Sequence, residues 1–225
     1  MTKSLDYLSL GDLVCFKNNQ LIAFNKPAGQ AVQSKEKPDF HSMAEHYAKR
    51  RLYILHRIDQ PATGIVLFAR NKSAVVKIST QFKERSIKKT YLAVVDNKPI
   101  QEEQTIRHFL KKIQGINKSV IVNAEDKHGE EAILTYKHLA SSDRYHLLVI
   151  DLHTGRHHQI RAQMAAMGCY IKGDVKYGFR RSNPDRSIHL HAWKMQLQHP
   201  VTQEIITIEA PLPEETLWSY FKKFL

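Results

Sequence analysis

Along this chain the hydrophobic positions fall mostly into short runs and alternations, with helical spacing in only four stretches. Residues 12–16 and 21–24 flank the polar Lys17-Asn18-Asn19-Gln20, which predicts a hairpin with an Asn-rich turn. Asn25-Lys26-Pro27-Ala28-Gly29 ends the second strand, because Pro and Gly interrupt regular backbone. Residues 33–41 are polar and predict a mobile loop, and 42–51 a short helix with Met43, His46 and Tyr47 at helical spacing. Residues 65–69 are five consecutive apolar positions, mostly branched or aromatic, and predict a strand buried on both faces. Asn71 suits the cap of a helix running to about Arg85, with Val75, Ile78 and Phe82 on one face.

Strands are predicted at 90–95, 130–139 and 145–152. Residues 105–122 alternate weakly and predict strands whose exposed face carries Arg107, His108, Lys111, Lys112 and Lys118. Residues 159–167 suit a helix ending at Gly168, and 188–197 with 204–209 suit a hairpin about His199-Pro200-Val201-Thr202. The tail, 214–225, places Leu217, Phe221 and Phe224 at helical spacing. Strands joined mainly by hairpins predict an α+β fold, a mixed and largely antiparallel sheet with flanking helices. No internal repeat or linker stands out, so residues 1–225 are expected to form a single domain, with two pseudo-halves meeting at Asp59.

Composition narrows the partner class. Lys and Arg number 34 against 22 Asp and Glu, a net charge of +12, and such an excess points to a polyanion, most commonly nucleic acid. An acidic lipid surface is the other partner the charge admits, but no amphipathic basic helix is evident. No run of eighteen apolar residues offers a membrane span, and the N-terminus lacks the apolar stretch of a secretion signal. Cys15 and Cys169 lie far apart without pair spacing, which fits a reducing compartment, so the expected location is cytoplasmic.

Candidate chemistry centres on His56-Arg57-Ile58-Asp59-Gln60-Pro61-Ala62-Thr63-Gly64, which runs into the apolar strand. Asp59 beside Arg57 at the mouth of a buried strand is a candidate site carboxylate, since unpaired charge is costly in a core. The alternative is a structural Arg–Asp pair capping a turn. His153, His157 and His158, with His189 and His191, resemble a metal-ligand cluster. Yet no zincin, Asp-rich magnesium or Cys-pair spacing accompanies them, so no metal is expected. Nucleophile-elbow, phosphate-loop and dinucleotide fingerprints are missing as well.

The nine-residue stretch at 56–64 resembles the His-Arg-Leu-Asp-x-x-Thr-Ser-Gly signature of the RluA-type pseudouridine synthases. Three further blocks resemble that family in the expected order: Asn25-Lys26-Pro27-Ala28-Gly29, Lys89-Thr90-Tyr91-Leu92-Ala93, and Gly155-Arg156-His157-His158-Gln159-Ile160-Arg161 continuing to Gly173-Asp174 and Tyr177-Gly178. Leu190-His191-Ala192 and His199-Pro200-Val201-Thr202 complete a likeness covering about residues 12 to 213. Ile58 stands where the family has Leu, and Ala62-Thr63 where it has Thr-Ser. Members commonly begin with an S4 RNA-binding module; here the first block starts near residue 12, so no separate N-terminal RNA-binding domain is expected.

The resemblance implies the pseudouridine synthase fold with a central catalytic cleft, and isomerisation of uridine in ribosomal or transfer RNA without cofactor or metal. Asp59 is then the catalytic carboxylate, as nucleophile or as base, Arg161 its ion-pairing partner, and Tyr91 the ring stacked on the target base. Arg57 is the residue that fills the space left by the everted nucleotide, with His56 beside it. Arg156 and Lys172 are expected phosphate contacts, and Leu190 an apolar wall of the base pocket. A monomer without an obligate protein partner is expected. A non-catalytic RNA-binding or ribosome-assembly factor on the same scaffold, or a metal-dependent hydrolase using the 153–158 histidines, are the competing readings.

Overall fold

The computed structural model describes residues 7–35 and 38–225 and divides the chain into two compact units. The first comprises the chain up to Lys88 together with Ala192–Pro213; the second comprises Lys89–His191 with Glu214–Leu225.

The first unit opens with the hairpin β1 (Val14–Lys17) and β2 (Leu21–Lys26), antiparallel, with Lys17 opposite Ile22. The turn forms because Asn18 Oδ1 accepts from the backbone N–H of both Gln20 and Leu21, each at 2.8 Å. Helix α1 (Phe40–Ala48) begins two residues before the expected position. Its cap is Asp39, whose carboxylate accepts from Ser42 N while Ser42 Oγ accepts from Asp39 N, a reciprocal pair that the loop composition hid. Of the expected loop, residues 36 and 37 lie outside the described residues. His46 is exposed; Phe40, Met43 and Ala44 form the packed face instead.

A short strand β3 (Tyr53–Ile54) and the expected β4 (Thr63–Ala69) follow, and every residue of β4 is buried. β4 pairs antiparallel with β2 from Leu21–Ala69 to Lys26–Gly64 and also holds β3. Helix α2 (Lys72–Lys83) starts where expected, Asn71 Oδ1 accepting from Ala74 N at 2.9 Å. β10 (Leu190–Gln198) lies on the other side of β4 and carries β11 (Ile205–Glu209) as an antiparallel partner. Leu21, Ile65, Leu67, Ile78, Met195 and Leu197 form the core of this unit.

The second unit is an antiparallel sheet in the spatial order β5 (Lys88–Val95), β9 (His146–Leu152), β8 (Glu130–Ser141), β6 (Glu103–Ile113), β7 (Lys118–Val122). Its helices are α3 (Gln159–Ala166) and α4 (Thr216–Lys222). On α4 the buried anchors are Trp218 and Phe221, whereas Phe224 is 40 % exposed, because the helix ends before that position. The expected basic face is neutralised in part: Arg107 pairs with Glu131 at 2.8 Å and Lys111 with Asp126 at 3.0 Å, while Lys112 is exposed. The pairs β1–β2, β2–β4, β5–β9, β6–β7, β6–β8 and β8–β9 are antiparallel, and the class is α+β. Among the described residues, no helix is long and apolar enough to cross a membrane.

Candidate active site

Asp59 sits half-buried in the connection from β3 to β4. The backbone there is fixed by more than Pro61. Ala62 N donates to Asp59 O at 3.1 Å, closing a turn on the carboxylate residue itself. Gln60 and Gly29 then bond in both directions, Gly29 N to Gln60 O and Gln60 Nε2 to Gly29 O, each 2.9 Å. These bonds tie the 59–62 turn to the Pro27-Ala28-Gly29 turn.

Beneath both turns lies a feature that composition alone did not reveal. Lys26 is fully buried, and its ammonium donates to Pro27 O at 2.7 Å, Ala62 O at 2.8 Å and Gln60 O at 3.2 Å. An ammonium has three donors and no acceptor, so three carbonyls complete its needs. Burial pushes the Lys26 pKa down to about 7, and the negative charge of Asp59 pulls it back up. The only signal for this in the sequence was the Asn-Lys-Pro-x-Gly block.

Each neighbour of Asp59 is placed differently. His56 is half-buried and its Nε2 accepts from Leu67 N at 3.0 Å, which leaves the proton on Nδ1. Arg57 is exposed, and Ile58 turns into the core. Gly64, at φ +110°, is the second residue of β4, where a Cβ would stand 2.6 Å from Ala192 N. Only glycine allows that approach of the two backbones.

In the second unit Tyr91 is half-buried on β5, opposite Ile150 of β9. Arg161 lies on α3 and is 4 % exposed. Its Nε and Nη2 donate to the two carboxylate oxygens of Asp174, both at 2.7 Å, and Asp174 is itself 2 % exposed. The guanidinium also stands 5.0 Å from the Tyr177 ring centroid. Tyr177 Oη accepts from Ser119 N at 2.9 Å, donates to Ser119 O at 3.2 Å and lies 3.0 Å from His158 Nδ1. Asp174 falls within a block that resembles the family, but nothing in the spacing from 161 to 174 announces a bidentate pair.

Arg156 is half-buried, donating from Nε to Glu131 O at 2.9 Å and from Nη1 to Glu130 at 2.8 Å. Lys172 is half-buried and donates to Asn183 Oδ1 at 2.9 Å, and Leu190 is 4 % exposed.

The 153–158 histidines are held by neutral partners rather than by one another's lone pairs. His153 Nε2 meets Thr135 Oγ1 at 2.8 Å, and His157 is held between Ser119 Oγ at 2.8 Å and Asn117 Oδ1 at 2.9 Å. Among the described residues, no group of three or more His, Cys, Asp or Glu side chains could hold a metal ion.

Two buried imidazoles give the fold an acid limit. Burial, with the positive charges of Arg161, His157, Lys176 and Lys112, pushes the His158 pKa from 6.5 down to about 2. Burial and Lys172 push His189 down to about 4, against the opposing pull of Glu215. His189 Nδ1 faces the Asn183 amide nitrogen at 3.1 Å and must accept, so Nε2–H donates to Glu215 at 3.2 Å. That contact is therefore a hydrogen bond from a neutral ring.

The unfolded chain protonates these rings below about 6.5 while the folded chain resists, so their stability contribution is complete above 6.5. It is lost as pH falls, through about 4 for His189 and on towards about 2 for His158. The thermal midpoint is expected to fall on acidification below 6.5 and to fall less steeply in His189→Gln. A parallel decline in both proteins would remove His189 from this account.

Comparison with known proteins agrees with these blocks. Residues 20–166 match the sequence profile of the RNA pseudouridylate synthase family. A protein of Rickettsia felis named ribosomal large subunit pseudouridine synthase C is 35 % identical over 209 residues, covering 90 % of this chain and 68 % of its own. A protein of Haemophilus ducreyi named tRNA pseudouridine synthase C is 30 % identical over 225 residues, covering 90 % of this chain and 91 % of its own. The solved structure of human RNA pseudouridylate synthase domain containing 4 superposes with a TM-score of 0.80 at 21 % identity, over 95 % of this chain and 93 % of that one.

Proposed function

This chain belongs to the RNA pseudouridylate synthase family and is an RNA pseudouridine synthase; from that premise we propose that its substrates are particular uridines of ribosomal or transfer RNA. The observation that carries the reading is the turn at Asp59, closed on itself, bonded both ways to Gly29 and underpinned by the buried Lys26 ammonium. A carboxylate carried on backbone held this firmly suits a reaction whose transition state tolerates little misplacement.

The isomerisation breaks the bond from ribose to the uracil nitrogen, turns the freed ring and rejoins it through carbon. No group enters from outside and no electron is gained or lost overall. Asp59 is the acid residue assigned to this exchange, attacking carbon or removing a ribose proton; both roles use the ionised form. Tyr91 is assigned to stacking on the uracil, worth roughly 1–3 kcal/mol per base in single-strand binders. Arg161 supplies the balancing positive charge. A base inside a stem is unreachable, so the nucleotide must leave the stack, and Arg57 is assigned to the vacated space, with His56 at its side. Leu190 is assigned to the pocket wall, and Arg156 and Lys172 to phosphates. The reading takes residues 1–225 as one catalytic domain of a cytoplasmic monomer.

The test is direct. Purified protein is incubated with large-subunit ribosomal RNA transcripts and with bulk transfer RNA, and pseudouridines are mapped at nucleotide resolution. At least one defined uridine is expected to convert in one of the two pools. Conversion of neither, alongside an unchanged pseudouridine map in cells lacking the gene, would overturn the proposed substrates.

A further inference from the structure

We propose that the loop from Val175 to Ser187, in the second unit, is a preformed RNA-phosphate clamp that supplies much of this enzyme's binding energy. The proposal deepens the RNA-substrate reading above and rests on it. Its first support is where the charge lies. Along β6 and β8 most cations are matched: Arg107 with Glu131, Lys111 with Asp126, Lys137 with Glu103 and, just beyond, Arg156 with Glu130, with Lys112 the exposed exception. Between Val175 and Ser187 the balance is different. Lys176, Arg180, Arg181 and Arg186 are all exposed, and Asp185 is the single acid, a surplus of three positive charges in thirteen residues.

The Asp185 carboxylate is turned to the loop's own backbone and hydroxyl, accepting from Ser187 N at 3.0 Å and Ser187 Oγ at 2.7 Å. Among the described residues, Arg180, Arg181 and Arg186 have no carboxylate partner, while Lys176 reaches a neutral carbonyl, Asn117 O, at 3.3 Å. Three guanidiniums left to solvent present planar, permanently charged forks, the group best matched to phosphate oxygens.

The second support is that the loop is built rigid. At its heart Asn183, 7 % exposed, accepts from Lys172 Nζ at 2.9 Å. Its amide nitrogen reaches Ser187 O at 3.0 Å, Ser187 Oγ at 3.2 Å and His189 Nδ1 at 3.1 Å. His189 stacks on Trp218 at 5.4 Å and bonds Glu215, the cap of α4. At the loop's start Tyr177 and Phe179 are buried, and Arg186 N closes a turn onto Asn183 O at 2.9 Å. Gly173 faces this loop, where a Cβ would stand 2.7 Å from Asn183 Nδ2. A cationic loop needing only solvation has no use for a buried asparagine network. Holding still the backbone that carries the guanidiniums removes part of the ordering cost from the binding step.

The experiment compares two charge-matched triple variants of the full chain. One is Arg180→Gln/Arg181→Gln/Arg186→Gln; the control is Lys72→Gln/Lys77→Gln/Lys83→Gln on α2. Affinity for a large-subunit ribosomal RNA transcript and for bulk transfer RNA is measured across salt, with thermal midpoints confirming folding. The loop variant is expected to bind at least about tenfold more weakly, with a log–log salt slope shallower by about 2 to 3, as loss of three phosphate contacts requires. Its kcat at saturating RNA stays near wild type while KM rises.

Equal losses in the two variants would reduce the effect to overall charge and overturn the clamp, as would unchanged affinity and slope in the loop variant. The binding measurements do not depend on turnover. A wild type that binds but makes no pseudouridine therefore defeats the substrate reading alone, while an active loop variant with normal KM defeats this inference alone.

Discussion

Asp59→Asn is expected to lower isomerisation by on the order of 10⁴-fold or more, the scale on which removal of a nucleophile or base acts. The amide is nearly the same size and leaves the Ala62 N to Asp59 O turn intact, since that bond is made by the backbone. It cannot act as an ionised nucleophile or base. RNA affinity is expected to stay close to wild type, because one fewer negative charge among phosphates does not weaken binding. The measurement pairs single-turnover pseudouridine formation with equilibrium binding and a thermal midpoint. The midpoint matters because Asp59 helps keep Lys26 charged, and Lys26 holds the turn through Gln60 O and Ala62 O. Turnover near the wild-type rate would take Asp59 out of its assigned role.

The second large effect concerns a pair that is structural by its geometry and catalytic by assignment. Asp174→Ala leaves the Arg161 guanidinium buried without the carboxylate that receives two of its donors. Breaking a buried pair from one side costs roughly 3–5 kcal/mol, because the remaining charge stays desolvated and loses its bidentate partner. Urea unfolding of the second unit's signal is expected to show that loss. Replacing both partners with apolar residues, Arg161→Met with Asp174→Leu, removes the stranded charge and is expected to recover much of the stability. Activity is not expected to return, because the positive charge assigned to balance Asp59 is gone. Recovery of turnover together with stability would make Arg161 a packing residue and nothing more.

Much of the local architecture was legible beforehand, for reasons particular residues make plain. Asn71 carries its own capping chemistry, so α2 began where expected. Residues 65–69 could be read as doubly buried because β-branched and aromatic side chains in an unbroken run have no polar face to show solvent, and all are buried in β4. Asn18 made the first turn readable, because its side chain bonds residues two and three further on. The start of α1 was not legible, because Asp39 caps from within a polar stretch. Nor was the end of the tail helix, because the spacing of Phe224 suits a helix that stops at Lys222.

The motif blocks likewise fixed which residues are candidates, since residue type and order are properties of the chain: Asp59, Tyr91 and Arg161 could be named without coordinates. Their electrostatic surroundings could not. Lys26 meets carbonyls up to thirty-six positions away, Arg161 meets Asp174 across a loop, and the 153–158 histidines find Thr135 and Ser119 on other strands and Asn117 in a turn. The neutral state of His189 is set by burial and by the charge of Lys172, against the pull of Glu215. Backbone preference, capping and hydrophobic period act over a few residues and are written in order along the chain. Desolvation and charge pairing depend on distance through space, and only the folded chain sets those distances.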